Sequence, residues 1–496
     1  MIFEIFMDST LIGDVVAEVM KRLNARGTGP RAGETAAVEE PKRAEGYAHP
    51  HRVQDPIGQY GVFANVDDAV KAATQSQAKL MKLSLEDRDG IVKLIKKTAK
   101  DNAAAWGKME LDETKIGRLD HKIEKLQILE LVPGVEFLKT NCDSGSNGIC
   151  LDEAAPFGVI GAITPVTHSV PTLSANAISM IASGNAVIFN PHPSGVNCAA
   201  HAVREYNKVI SAKFGIDALL TCIVPPSLET AEAIFNHRGI ALTVVTGGPA
   251  VARAALAAKK RAIVAGPGNP PVVVDETACL DNAAASIVKG AAYDNNLLCI
   301  GEKEVFCVEA VFDQLMAKME KHGAFILNAQ QIDTLTKKAF TPGSDGKLHV
   351  NKDYVGRDAS FLATAAGTSV PPSTQLLIGE TKADHLFVQE EQMMPFVPFV
   401  RVKDVDEAMD LAIEAEHDYR HTAIIHSRNM DTVTKFGRRA NTTLFVVNGA
   451  SPTGLGLGGQ GFLSYSIATP TGEGITTPLT FTRFRRVMIA GSLRMI

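Results

Sequence analysis

Between residues 159 and 275, short runs rich in β-branched residues alternate with alanine-rich stretches. The runs are VIGAIT (159–164), AVIF (186–189), TCIV (221–224), ALTVVT (241–246), AIVAG (262–266) and PVVVD (271–275), and segments such as LSANAISMIAS and CAAHAVREYNKVISAKFG lie between them. Unbroken apolar runs of four to six residues suit strands buried on both faces, and strands separated by helices run parallel. The pattern therefore predicts βαβ units around a covered parallel sheet. A second α/β block is expected from EKEVFCVEA to about residue 447, after a helical region that opens near residue 51. The tail SYSIATPTGEGITTPLTFTRFRRVMI is threonine-rich and strand-like, a composition that suits an oligomer contact.

The first 50 residues differ from the rest. MIFEIFMDSTLIGDVVAEVMKRLN places Leu11, Ile12, Val15, Val16, Val19, Met20 and Leu23 at helical spacing, with Asp8 or Ser9 able to cap. Residues 1–24 therefore read as an amphipathic helix, and the Ala/Gly/Pro-rich residues 25–50 as a flexible tether. An apolar-faced helix on a tether is better suited to docking on another protein than to packing on its own domain. It lacks the basic start of a secretory signal.

A chain of 496 residues exceeds what one core usually supports, so two large domains or one domain with lobes are expected. With 50 basic against 55 acidic residues and a net charge of −5, there is no basic excess for nucleic acid. No run approaches the roughly 18–20 apolar residues of a membrane span. The seven cysteines are scattered without paired metal spacing, so reduced thiols and no metal are expected.

Four segments carry chemistry. In ALTVVTGGPAVARAALAAKK a buried strand ends at Thr246, Gly247 and Gly248 turn the chain, and Pro249 opens a helix whose free N–H groups suit a pyrophosphate. A tight turn without a ligand would look the same, because the spacing is not the dinucleotide fingerprint. RAIVAGPGNPPVVVD joins two strands by a Gly/Pro loop from Gly266 to Pro271, where α/β sheets place ligands. ITPVTHSVP puts Thr164, Thr167, His168 and Ser169 at a strand's carboxyl end, although a lone histidine there is more often structural. Cys299 follows Asp294, Asn295 and Asn296 in a loop, where a thiolate could be exposed and stabilised. Cys198, Cys222, Cys279 and Cys307 fall on helix or strand patterns and read as buried space-fillers.

Together these segments resemble the aldehyde dehydrogenase superfamily over residues 51–485. The likeness is strongest to its coenzyme-A-acylating branch and, within that, to the propionaldehyde dehydrogenases of bacterial microcompartments. APFGVIGAITPVTHSVPT, SMIASGNAVIFNPHPSG, VVTGGPAVARAA, AGPGNPP, DNNLLCIGEKEVF, EEQMMPFVPFVRV and TPTGEGITTPLTF carry the resemblance by their order and spacing. It implies an α/β fold of two Rossmann-type parallel-sheet domains plus a small β oligomerisation arm. The implied boundaries are 51–264 for NAD and coenzyme A, with a return at about 448–465, 265–447 for the catalytic cysteine, and 138–155 with 466–496 for arm and tail.

The resemblance further implies that Cys299 is the nucleophile, its backbone N–H helping to hold the oxyanion. Thr164, Pro165, Asn190, Gly247, Gly248 and Gly266 would line the NAD site, and Glu391 of EEQMMP would meet a ribose. Coenzyme A would use the same pocket in turn, giving ping-pong kinetics. Residues 260–268 read KRAIVAGPG, without the glutamate by which hydrolytic relatives activate water. A thiol acceptor is therefore expected. Where the family carries its oxyanion asparagine this chain has Thr167 followed by His168, and either could polarise the carbonyl. Asn190 stands where hydrolytic relatives use a lysine near the ribose, which leaves NAD against NADP open.

The expected activity is NAD-dependent conversion of a short aliphatic aldehyde, best read as propionaldehyde, to its acyl-coenzyme A. A hydrolytic dehydrogenase, an acyl-phosphate reductase and a non-catalytic shell adaptor are the competing readings. The resemblance also implies a homodimer or homotetramer held in the cytoplasm inside a microcompartment, with residues 1–24 binding shell or cargo proteins.

Overall fold

The computed structural model describes residues 58–343, 346–491 and 493; the expected helix at 1–24 and tether at 25–50 lie outside the described residues. Four helices follow the opening strand Val62–Phe63: Val66–Leu80, Leu85–Asp101, Ala103–Thr114 and Leu119–Gln127. Asn65 caps the first through the Asp68 N–H, and Ser84 and Asp87 form a reciprocal capping box on the second.

The first sheet has six parallel strands in the order Val62–Phe63, Leu220–Ile223, Ala186–Pro191, Val159–Thr164, Leu242–Thr246 and Ala262–Ala265. From Val159–Thr164 the chain winds outward through Ala186–Pro191 and Leu220–Ile223. It then crosses back to lay Leu242–Thr246 on the other side. The order reverses there, so a crevice opens at the carboxyl ends Thr164 and Thr246, where doubly wound sheets bind ligands. Ile160, Ala162, Val187, Phe189, Leu242 and Val244 are at most 1% exposed, as strands covered on both faces require.

The second sheet has seven parallel strands, in the order Ala324–Ile326, Leu376–Thr381, Phe396–Val402, Glu304–Val308, Pro271–Val274, Thr422–His426 and Leu444–Val447. PVVVD, which the sequence pattern groups with the earlier runs, is an interior strand of this second sheet. The Gly266–Pro270 loop thus carries the chain from one sheet to the other.

A third, antiparallel sheet joins Asn141–Gly145, Gly148–Pro156 and Thr482–Ala490. Residues 466–481, grouped with the tail on composition, pack elsewhere: Ile467, Ala468 and Phe481 are buried in the first sheet's core. Thr471 Oγ1 accepts the Val264 N–H at 3.0 Å, which fixes this segment beside the last strand of that sheet.

Candidate active site

The carboxyl edge of the first sheet gathers the residues expected to meet NAD. Thr164 ends its strand directly beside Pro191, and its buried Oγ1 has no partner. Pro165 follows, half-buried. Asn190 is buried one residue earlier on the neighbouring strand; its Oδ1 accepts the Thr230 hydroxyl at 2.7 Å, and its Nδ2 donates to the Ser227 carbonyl at 3.4 Å. Gly247 and Gly248 link Leu242–Thr246 to the helix Pro249–Ala257. Gly248 has φ −65°, which any residue adopts, and a Cβ built there meets nothing within 4 Å. The fold itself does not demand glycine at 248; a ligand lying against this backbone would, and with the orphaned Thr164 hydroxyl that fits a dinucleotide. Gly266 differs, because its Cβ would stand 2.7 Å from Pro470 Cγ, so packing already demands it.

Cys299 belongs to the opposite wall. It lies between the 3₁₀ turn Tyr293–Asn296 and the strand Glu304–Val308, half-exposed, against an apolar cluster that includes Leu298, Ile300, Leu463 and Tyr465. This wall is built from the amino ends of the second sheet's strands: Gly268 precedes Pro271–Val274, Lys303 precedes Glu304–Val308, Glu391 and Gln392 precede Phe396–Val402, and His421 precedes Thr422–His426. Gly268 runs against the nucleophile segment, where an added Cβ would lie 2.6 Å from the Cys299 carbonyl oxygen and 2.8 Å from His421 Cγ.

Burial pushes the Cys299 thiol up to about 12; the Glu391 carboxylate adds to the rise and the Lys303 ammonium opposes it. Burial likewise lifts Glu391 to about 7, against the pull of Lys303 and of the Gly268 N–H that its carboxylate accepts. Lys303 is fully buried and donates to the Asn296 carbonyl at 2.8 Å and the Leu298 carbonyl at 3.2 Å, which pins the loop on both sides of Leu297. His421 is fully buried, with Nδ1 2.8 Å from Thr422 Oγ1 and no partner for Nε2; burial, reinforced by Lys303, lowers it to about 4, so the ring is neutral.

The polar run before Cys299 does not face the thiol. Asp294, Asn295 and Asn296 take φ of 49°, 57° and 65°, three successive left-handed residues, each costing roughly 1–2 kcal/mol for an L-residue. Such an arch persists only where its surroundings over-determine it. Asn295 Nδ2 donates to the Gly356 carbonyl at 3.0 Å and to Asp358 Oδ1 at 2.8 Å. Asn296 Nδ2 donates to the carbonyls of Ala291 and Glu302, both at 2.9 Å. Asp294 pairs with Lys125. The run thus builds the loop rather than stabilising a thiolate, because each of its side chains turns inward.

His168 is 5% exposed and stands just before the helix Ser169–Ala182, with its ring tilted over Tyr465 at 5.8 Å between centroids. Burial and then the Lys125 charge hold it well below the usual histidine range, so it is neutral. Thr167 is half-exposed, with Oγ1 3.3 Å from His168 Nε2. Of the two, the Thr167 hydroxyl is the more accessible.

Among the described residues no group of three or more His, Cys, Asp or Glu side chains is disposed to hold a metal, and no helix is long and apolar enough to cross a membrane.

The carboxyl edge of one parallel sheet and a half-exposed cysteine in the loop before a strand of a second sheet define the class, and comparison with known proteins agrees. The model of the aldehyde dehydrogenase family matches residues 49–337, and the chain belongs to that family. It is 43% identical to the Salmonella typhimurium acetaldehyde dehydrogenase (acetylating) EutE, over 89% of this chain and 94% of the relative. It is 38% identical to the propanal dehydrogenase (CoA-propanoylating) of Citrobacter freundii, over 86% and 92%. Among solved structures it is similar to the Rhodopseudomonas palustris propionaldehyde dehydrogenase with bound propionyl-CoA, with a TM-score of 0.84 and 41% identity over 87% of this chain and 96% of that one. It is also similar to the propionaldehyde dehydrogenase of the Clostridium phytofermentans fucose utilisation microcompartment, with a TM-score of 0.85 and 39% identity over 88% and 100%.

Gly268 lies in the Gly/Pro loop that the sequence marks as ligand-placing, whereas Lys303, Gln392 and His421 are not singled out by any local signal of their own. Each borders the site because it precedes a strand of the second sheet, and that relation exists only once the sheet is assembled.

Proposed function

We propose that this chain is an NAD-dependent, coenzyme-A-acylating aldehyde dehydrogenase that acts on a short aliphatic aldehyde, propionaldehyde in the first instance. The observation that carries the reading is the half-exposed Cys299 between the two sheet edges, in a chain whose relatives acylate coenzyme A. The acetylating relatives favour acetaldehyde as a second substrate. One methylene is worth only about 1–3 kcal/mol of discrimination, so both fit one site.

Cys299 Sγ attacks the aldehyde carbon, and the oxygen becomes an oxyanion held by the Cys299 backbone N–H and the Thr167 hydroxyl. At neutral pH the resting thiol is protonated, so its proton must leave as the bond forms. We assign that proton to Glu391, the carboxylate whose charge bears on the Cys299 thiol and which burial makes more basic than an ordinary glutamate. The Thr164–Gly248 edge would hold NAD, which would supply the hydride acceptor needed for the Cys299 thiohemiacetal to become a thioester. The neutral His168 and the apolar cluster around Leu298 and Tyr465 keep that thioester from water. Residues 260–268 offer no carboxylate to activate water, so the acyl group passes to the thiol of coenzyme A, entering where NAD was bound. Thr164, Pro165, Asn190, Gly247, Gly248 and Gly266 line that shared edge in this reading.

Among the described residues the nine-residue strand Thr482–Ala490 pairs only with Gly148–Pro156, at the edge of its sheet, and leaves Phe484 83% exposed, which suits cover by a second copy in a homodimer or homotetramer. Residues 1–24 are the segment to dock on shell or cargo proteins, in keeping with a microcompartment relative. The test of the activity is product identity. Propionaldehyde, NAD and coenzyme A should yield propanoyl-CoA, and inorganic phosphate in place of coenzyme A should yield no acyl phosphate; propanoate as the main product would contradict the reading.

A further inference from the structure

Two buried ion pairs lie apart from the groups that touch the reacting atoms. Lys125 pairs with Asp294, and Lys122 Nζ lies 3.0 Å from Glu110 Oε1; all four side chains are at most 1% exposed. Both lysines come from the helix Leu119–Gln127, three residues apart, and Leu126 of that helix packs into the first sheet's core. Their carboxylate partners reach the two halves of the site. Glu110 Oε2 accepts the Val170 N–H at 3.0 Å, two residues beyond His168. Asp294 opens the left-handed arch that leads to Cys299, and its Oδ1 accepts the Arg118 N–H at 2.7 Å while its own N–H donates to His121 Nδ1 at 2.9 Å. Gly117 leaves room for this carboxylate: a Cβ there would stand 2.3 Å from Asp294 Oδ1. Burial alone would raise Asp294, yet Lys125 and then Lys122 hold it at about 2, so it is ionised.

Breaking a buried pair by removing one partner strands the other charge, so such pairs hold their segments in one arrangement. Asp294 ties the arch to the Leu119–Gln127 helix, alongside the stacking of Tyr293 on His121 at 4.3 Å, whereas Asn295 and Asn296 tie it to the second sheet's side. We propose that Lys125 and Asp294 are positioning residues for Cys299, and that with Lys122 and Glu110 they fix the separation between the nucleophile loop and the Thr167–His168 turn. The inference rests on Cys299 being the nucleophile.

The test compares wild type, Lys125→Met, Asp294→Asn and the double variant in the full chain. It measures thermal unfolding, kcat and KM with propionaldehyde, and the rate at which iodoacetamide labels Cys299, read on the Cys299 peptide by mass spectrometry. A shift of about 1 Å in a reacting group costs on the order of a hundredfold in rate, so kcat in each single variant should fall by tens to a hundredfold. KM for NAD should stay within about twofold, because the Thr164–Gly248 edge is untouched. Cys299 labelling should change several-fold below the unfolding temperature, which a general loss of stability would not produce. Residues acting as one pair are non-additive, so the double variant should lose no more than about twofold beyond the worse single variant. Should Lys125→Met fail to fold, Asp294→Asn decides alone, since asparagine keeps the acceptor for the Arg118 N–H. Unchanged kcat and labelling in a folded single variant, or losses that multiply in the double variant, would overturn the proposal. Failure of the nucleophile assignment shows separately, as activity surviving in Cys299→Ala.

Discussion

Cys299→Ala forms no NADH above background from propionaldehyde, NAD and coenzyme A, a loss of at least about a thousandfold in kcat, since removing a covalent nucleophile leaves only binding and oxyanion stabilisation. No other thiol is placed to substitute. Cys198, Cys222 and Cys307 are fully buried within a helix or strand, where an aldehyde has no access. Cys142 and Cys150 sit on the antiparallel arm, and Cys279 precedes the helix Leu280–Ala291. The alanine variant should unfold within about 1 kcal/mol of wild type, because the lost Sγ is half-exposed and leaves little cavity. Thermal unfolding alongside the NADH assay separates lost chemistry from lost structure.

Gly268→Ala is the second large effect, and it acts through geometry alone. The added methyl would lie 2.6 Å from the Cys299 carbonyl oxygen and 2.8 Å from His421 Cγ, both below any real contact distance. His421 is fully buried and cannot swing away, so the strain falls on the nucleophile's own peptide. The same substitution alters the N–H that donates to Glu391. We expect kcat/KM for the aldehyde to fall about a hundredfold or more for a displacement near 1 Å. The stability cost should be about 1–3 kcal/mol, typical of overpacking. A variant with full activity would mean that the Gly268 loop does not set the position of Cys299.

The runs VIGAIT, AVIF and ALTVVT were legible as parallel strands because burial on both faces leaves an unbroken apolar signature. PVVVD has the same signature, and nothing within it says which of two sheets it joins; the Gly/Pro loop before it decides that. Cys299 stood out by its loop and by the order of motifs around it, but the polar run DNN was misread. Its composition suggested a thiolate environment, whereas its left-handed backbone turns Asp294 toward a lysine 169 positions away. Pairings of that separation leave no periodicity or spacing to read. Lys125 looks like any surface lysine of an amphipathic helix until the fold buries it completely. The same holds for His421 and Lys303, whose importance comes from strand order rather than from their neighbours in sequence. The tail was read as one strand-like arm, but Ile467 and Phe481 belong to the first core, because apolar residues in a threonine-rich stretch do not announce which core they fill.

In this mechanism the acyl group leaves Cys299 for a thiol and not for water. The most direct measurement follows NADH from propionaldehyde and NAD without coenzyme A, then adds coenzyme A to the same cuvette. A thiol acceptor gives a burst of about one NADH per active site, a stop with the thioester held on Cys299, and steady turnover once coenzyme A arrives. Steady NADH formation at the same rate before coenzyme A is added would show that water is the acceptor, and would contradict it.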